Sequence, residues 1–386
     1  MTTKEIVFCF GMNGSGQVKM NVMASKVIGP TVVIIGGGLS GAAVAYNLLS
    51  RVSVPPQVVI IEPRPLLGQG LAYSARDPLH RLNVPHGKMS LVSDRPEDFA
   101  DWLRDPGGPT LPADSATLTG QIFAPRSVFG RYVSERLAPF LASGRLRHVV
   151  GTATALRRVG DGFIVTLEPV DRDGRRQEPE EIKAASAVLA VAHPSPAIPE
   201  PLQPLAGTEY LVADPFVPGA LDAIAPDERL LVVGTGLTSA DILSTLQGRH
   251  RAAIHVLSRH GWRSRPHGPT QAETNEDFSI DPETTASALL RRVRRALAED
   301  ATRGLTWHAV FDRLRAQGPA IWAALPLDER RRFLRHLRGL WDVHRFRIAP
   351  QSLAAVETME RTRRAQFVKG RIKSLEVGFD GLAVGW

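Results

Sequence analysis

The chain has 386 residues, 43% hydrophobic and 22% charged, which suits a soluble globular protein of two or three domains with a sizeable core. Cys9 is the single cysteine, which excludes an internal disulfide and a C-x-x-C redox pair and agrees with a reducing compartment. No apolar run reaches the roughly 18 residues that span a bilayer, and Ile6–Phe10 is too short for a signal-peptide core, so a cytoplasmic protein with no membrane partner is expected.

The net charge of +8 is concentrated in one place. Residues 291–346 hold 13 Arg and no Lys against 6 Asp plus Glu, a balance of +7. These arginines fall on helix-like stretches with no nucleic-acid-binding signature beside them, so they read as a solvated face with no nucleic-acid partner.

Residues 1–29 lack clear periodicity and carry further methionines at Met20 and Met23. They read as a loose extension before a later true start, and Gly14-Ser15-Gly16 as a flexible turn. The β-branched run Thr31–Ile35 then suits a strand buried on both faces, and the apolar residues after Gly41 suit a helix packed on it. Between them Gly36, Gly38 and Gly41 stand at G-x-G-x-x-G spacing. The first glycine allows the tight turn, the second lets a pyrophosphate approach the backbone, and the third lets helix and strand pack closely. The helix N-terminus offers N–H groups to phosphate. The next strand, 57–61, ends in Glu62, about 20 residues past the turn, where an acid bonds a ribose hydroxyl.

Residues 63–91 are rich in Gly and Pro yet hold aromatic, amide, His and basic groups, as an ordered functional loop does. A helix through Trp102 and Leu103 is expected to be capped by Ser93 or Asp94. Pro125–Val133 starts another, running to about Leu141. Its Val128, Phe129, Tyr132 and Val133 recur at helical spacing and belong to a core.

Four blocks together, GGGLSGAAVAYNLL, IEPRPLLGQGLAYS, HRLNVPHGKMSL and RSVFGRYV, resemble the bacterial FAD/NAD(P)-binding flavoproteins related to the N-hydroxylating flavin monooxygenases. The similarity runs from about Val32 to near the C-terminus. It implies that Gly36, Gly38 and Gly41 hold the ADP half of FAD and that Glu62 holds its ribose, with Ser40 and Arg64 as further cofactor contacts. It also implies that Leu82–Pro85 and Lys88–Ser90 lie near the flavin ring, which adds Asn83, Met89 and Ser90 to the FAD contacts. Loop packing is the alternative for Asn83 and Met89. Arg126 is either a diphosphate contact or a solvated helix start.

Strands are expected over 147–156, 162–167 and 187–192. The last ends in Ala190-Val191-Ala192-His193, where the family pattern is Ala-Thr-Gly-His. The missing glycine crowds the backbone beside the cofactor, and His193 reads as a strand-end residue before a catalytic one. Five prolines, from Pro194 to Pro204, stiffen an interdomain crossover.

A second strand, turn and helix follow, with Gly234, Gly236, Thr238 and, at the third glycine position, Ser239. The next strand ends in Ser258-Arg259, where an NAD site favours an acid. That exchange relieves repulsion of a 2′-phosphate and offers it a cation and a hydroxyl, so NADPH is expected over NADH. Arg263 and Arg265 are weaker candidates. Residues 285–317 and 327–345 read as amphipathic helices covering the nucleotide domains, with His336 and His344 lacking the neighbours of a metal site. Residues 365–386 read as two or three strands. The resemblance implies several tens of further residues that complete the flavin pocket, so either a shortened member or an incomplete flavin site is expected.

The expected fold is α/β, with two Rossmann-like dinucleotide-binding domains and a helical insertion. The boundaries are 1–29 for the extension, 30–200 for the FAD domain completed by about 346–386, 205–275 for the NAD(P) domain and 276–345 for the helical region. The expected function is an FAD-dependent oxidoreductase reduced by NADPH, a monooxygenase on a small polar substrate. The alternatives are an NADPH–flavin reductase without oxygen transfer and a non-catalytic nucleotide-binding protein. No catalytic side chain stands out, no metal cluster competes, and substrate contacts in such folds come from variable loops.

Overall fold

Successive side chains of a strand point to opposite faces, and the run Val32-Val33-Ile34 shows what each face meets. Val32 and Ile34 join a core with Ala42, Ala45, Phe129 and Leu137, whereas Val33 joins one with Val165, Leu167 and Ala184. The computed structural model describes residues 29–171, 173–191, 196–378 and 381–386. The expectations for the N-terminal extension, Cys9 and the Ala192-His193 strand end fall outside them.

The first half of the chain runs β1 (Gly29–Ile35), α1 (Leu39–Arg51), β2 (Pro56–Ile61), α2 (Gly70–Tyr73), α3 (Asp98–Arg104), α4 (Arg126–Ala142), β3 (Leu146–Val149), β4 (Gly151–Val159), β5 (Gly162–Pro169), β6 (Glu180–Ala184) and β7 (Ser186–Leu189). Strands β3-β2-β1-β7 form a parallel sheet in that order. Helices α1 and α4 cover one face, and the antiparallel sheet β4-β5-β6 packs on the other. This layering is the α/β, Rossmann-like arrangement in which the strand ends carry the ligand.

The second half runs β8 (Leu230–Val233), α5 (Leu237–Gln247), β9 (Ile254–Ser258), α6 (Ala286–Thr302), α7 (His308–Ala316), α8 (Gly318–Ala324), α9 (Leu327–His336), α10 (Arg338–Arg345), α11 (Pro350–Arg361), β10 (Ala365–Lys369), β11 (Ser374–Gly378) and β12 (Gly381–Gly385). Strands β10-β9-β8 form a second parallel sheet. Its core joins Leu243, Val256, Val356 and Met359, so α5 and α11 pack on it together. Helices α6 to α10 build a separate apolar core around Phe278, Val293, Val310 and Ile321.

Several expected boundaries shift. Helix α3 starts at Asp98, past Ser93 and Asp94, with no side-chain cap. Pro96 disfavours a helical backbone at Arg95 and delays the start. The stretch 285–317 divides at Gly304, whose φ of +74° ends the helical path. The stretch 327–345 divides at Leu337. The C-terminal segment does not extend the first sheet among the described residues: β10 pairs with β9, because Ala365, Met359 and Val356 bury in the second core, while β11 and β12 pair with each other. Helix α11 was not foreseen.

Candidate functional site

The two glycine turns have the same local geometry. Gly36 has φ +102° and donates its N–H to Ile61 O at 2.9 Å; Gly234 has φ +110° and donates to Leu257 O at 2.8 Å. Positive φ of this kind favours glycine. Each turn then passes through an extended glycine, Gly38 or Gly236, into α1 or α5. Neither helix has a side-chain cap on its first turn or an acidic residue in it. Both N-termini therefore offer unshared N–H groups and positive dipole ends, the requirement for a diphosphate. Ser40 and Thr238 occupy the same position on the two helices, and both are exposed.

The turns differ in closeness. A Cβ on Gly41 would overlap the Gly36 carbonyl oxygen, and one on Gly37 would meet Glu62 Cβ at 2.7 Å. The second turn is looser: Ser239 takes the third position, buried, with its hydroxyl donating to Gly236 O at 2.7 Å.

Glu62 lies at the end of β2 and is 3% exposed. Its Oε2 accepts from Gly37 N at 2.8 Å, and its Oε1 accepts from Arg64 N at 3.1 Å and Arg64 Nη1 at 2.9 Å. A carboxylate has about four acceptor sites, so one on Oε2 stays open toward a hydroxyl. Arg64 is 38% exposed, free to swing away from Oε1. Gly36, Gly38, Gly41, Glu62 and Arg64 are thus brought together around one turn.

The loop residues divide. Asn83 presents its carbonyl to His267 Nε2–H at 2.9 Å, across from the loop that follows β9. Burial pushes His267 down to about 4, against that hydrogen bond. Met89 packs against the first core. The Ser90 hydroxyl donates to Val92 O and Arg95 O and accepts from Val92 N, so it closes its own turn. Tyr132 donates to Asp98 and accepts from Leu91 N beneath this loop.

Arg126 is neither solvated nor free for phosphate: it donates to Arg81 O and pairs with Asp241 of α5 at 2.8 Å. Burial pushes Asp241 above the usual carboxylate range, although Arg126 stands against it. Nearby, His80 Nε2 bonds Thr245 Oγ1 at 3.0 Å, and Thr245 in turn donates to Asp77. The second glycine helix is therefore fastened to the first unit by its polar face. Sequence reasoning missed Asp241, Thr245 and His267; Asp241, a buried acid on an apolar helix, was the available signal.

Ser258 ends β9 and Arg259 follows it. The Ser258 hydroxyl accepts from Gly261 N at 3.0 Å, and Arg259 is exposed. Arg263 is engaged with Glu360 at 2.8 Å. Among the described residues there is no group of three or more His, Cys, Asp or Glu that could hold a metal, and no helix long and apolar enough to cross a membrane.

Residues 33–194 match the family model described as FAD-NAD(P)-binding. That stretch, less than half of the chain, contains the first turn and Glu62. No curated protein matches the sequence. Among solved structures, the chain is similar to the ornithine N-hydroxylase of Kutzneria sp. 744 in complex with reduced FAD, NADP+ and L-ornithine. The TM-score is 0.53 at 14% identity, over 92% of this chain and 75% of that one. It is also similar to the reduced ornithine hydroxylase of Pseudomonas aeruginosa, with a TM-score of 0.51 at 14% identity, over 92% and 77%. At these identities the likeness is one of fold: the α/β architecture of flavin monooxygenases with two nucleotide-binding units.

Proposed function

We propose that the chain is an FAD-dependent oxidoreductase reduced by NADPH, acting as a monooxygenase on a small polar substrate. The observation that carries this reading is the repeated turn: two uncapped helix N-termini entered through glycines at the same positive φ, one beside a buried carboxylate and one beside an exposed arginine. In it, Glu62 holds ribose hydroxyls of FAD through its open acceptor, and Gly36, Gly38, Ser40 and Gly41 let the diphosphate approach the α1 N–H groups. Gly234, Gly236 and Thr238 do the same for NADPH, and Ser258 and Arg259 take its 2′-phosphate. Asn83, which meets His267, and Met89, on the first core, lie near the flavin ring, and Ser90 shapes that loop. His267, neutral at physiological pH, puts no charge there.

Bound flavin supplies the electron transfer from NADPH and the activation of oxygen, and the protein orients the partners and excludes water. The test is oxygen uptake and NADPH oxidation by the FAD-loaded chain across a panel of small amines, amino acids and hydroxy acids. Substrate-dependent uptake with one oxygen atom found in the product supports a monooxygenase. NADPH oxidation with no oxygen in any product assigns the reductase instead, and background rates throughout count against both.

A further inference from the structure

Helices α9 and α10 are amphipathic, yet neither has a fully buried side chain. Phe333 and Trp341 pack against the Phe278 core at one edge, and with Leu334, Leu337 and Leu340 they line a pocket of about 440 Å³ whose other walls come from α6, α7 and α8. Leu289, Ile321 and Trp322 face it from those helices. The volume falls in the range of small-molecule sites, about 300 to 1,000 Å³. Leu334, Trp322 and Phe346 remain 48%, 37% and 45% exposed, more apolar surface at one mouth than packing alone would leave. The charged side chains in the lining are Arg338, Asp342 and Arg345. Arg338 shares Asp342 at 3.4 Å. Arg345 forms no ion pair among the described residues, and its guanidinium lies over the Phe346 ring, 4.7 Å from the centroid. With two arginines against one acid in the lining, the mouth carries a net charge of +1. No lining residue belongs to the glycine turns or to the loop of Asn83.

We propose that this pocket binds a medium-chain carboxylic acid, with the alkyl chain among the leucines and tryptophans and the carboxylate at Arg345. An ammonium group would meet a positive rim, and a neutral head would gain nothing there. The five helices enclose too small a space for a partner helix.

The test uses the full chain, titrated with hexanoic to dodecanoic acids and the matching alkanols below their aggregation limits. Tryptophan emission and calorimetry are the readouts, since Trp322 and Trp341 stand in the wall. Saturable one-to-one binding is expected, tightening about fourfold for each methylene until the pocket is filled. Acids should bind about two- to fivefold more tightly than alkanols, the worth of an exposed ion pair, and Arg345→Gln should erase that difference. Leu334→Glu, at an exposed position, should weaken the acids about tenfold or more while leaving the circular dichroism unchanged. Added FAD or NADPH should not compete. The proposal is overturned by the absence of saturable binding at about millimolar acid, by alkanols binding as tightly as acids, by competition from either nucleotide, or by affinities indifferent to both substitutions. A concentration-dependent dimer that Leu334→Glu dissociates would also overturn it and give the pocket to a second copy of the chain.

Discussion

Glu62 does two tasks with one carboxylate. It fixes the glycine turn through Gly37 N, and on Oε2 it keeps an acceptor free, the one proposed for a ribose hydroxyl, while Arg64 occupies the other oxygen. Glu62→Ala should weaken FAD by roughly ten- to a hundredfold, since hydrogen bonds to a charged group contribute about 1.5–3 kcal/mol. Fluorescence titration with FAD reads this, and an unchanged Kd would remove Glu62 from the site. Arg259 is exposed at the end of β9 with its guanidinium available to a phosphate. Arg259→Ala should weaken NADPH by roughly tenfold or more and leave NADH nearly unchanged. Equal effects on the two nucleotides in direct titration would sink the 2′-phosphate role. The positions of both residues were legible in the sequence because they follow from local spacing after a glycine turn. Ser90 was not so simple: its hydroxyl is spent on Val92 and Arg95, and a turn bond within five residues looks the same in sequence as a ligand contact.

At the scale of elements, the parts that depend on local sterics were readable and the parts that depend on distant partners were not. The glycine turns, α4 and the strands around them follow from periodicity and from φ values that only a few residues tolerate. The placement of β10 beside β9 depends on a core shared with α5 and α11, which no window of sequence contains. The Arg126–Asp241 pair likewise joins segments far apart in the chain. Under the loop that carries Met89 and Ser90, α3 and α4 are tied by a buried polar set. Burial pushes the Tyr132 hydroxyl up to about 12, and it donates to Asp98. Burial opposes the Asp98 charge, but bonds from Arg136 and Tyr132 hold its carboxyl below the usual range. Tyr132→Phe leaves Leu91 N and one lone pair of Asp98 without that partner. It should cost about 1–3 kcal/mol in urea unfolding. A change under about 0.5 kcal/mol would mean that the set does not hold the loop.

Across the whole molecule, five histidines, His86, His250, His267, His308 and His344, are pushed down by burial. An unfolded histidine titrates near about 6.5. Below that pH the unfolded chain binds protons that the folded chain refuses, so the stability is fully present above about pH 6.5 and declines as the pH falls toward the value near 4 of His267. Asp241 works in the opposite sense, because its raised value stabilises the fold as the carboxyl takes up its proton. With five groups against one, the urea midpoint should fall between about pH 7 and about pH 5. His267→Gln, which keeps a donor for Asn83, should flatten part of that slope. A midpoint that rises over the same interval would contradict the burial of these rings.

Everything proposed for the two turns depends on the first one taking flavin. The most direct test is the visible absorption spectrum of the purified chain with added FAD, followed by NADPH without oxygen. A perturbed, bound-flavin spectrum that bleaches on adding NADPH is the predicted result. Free-flavin absorption throughout, with no FAD retained after gel filtration, would contradict it.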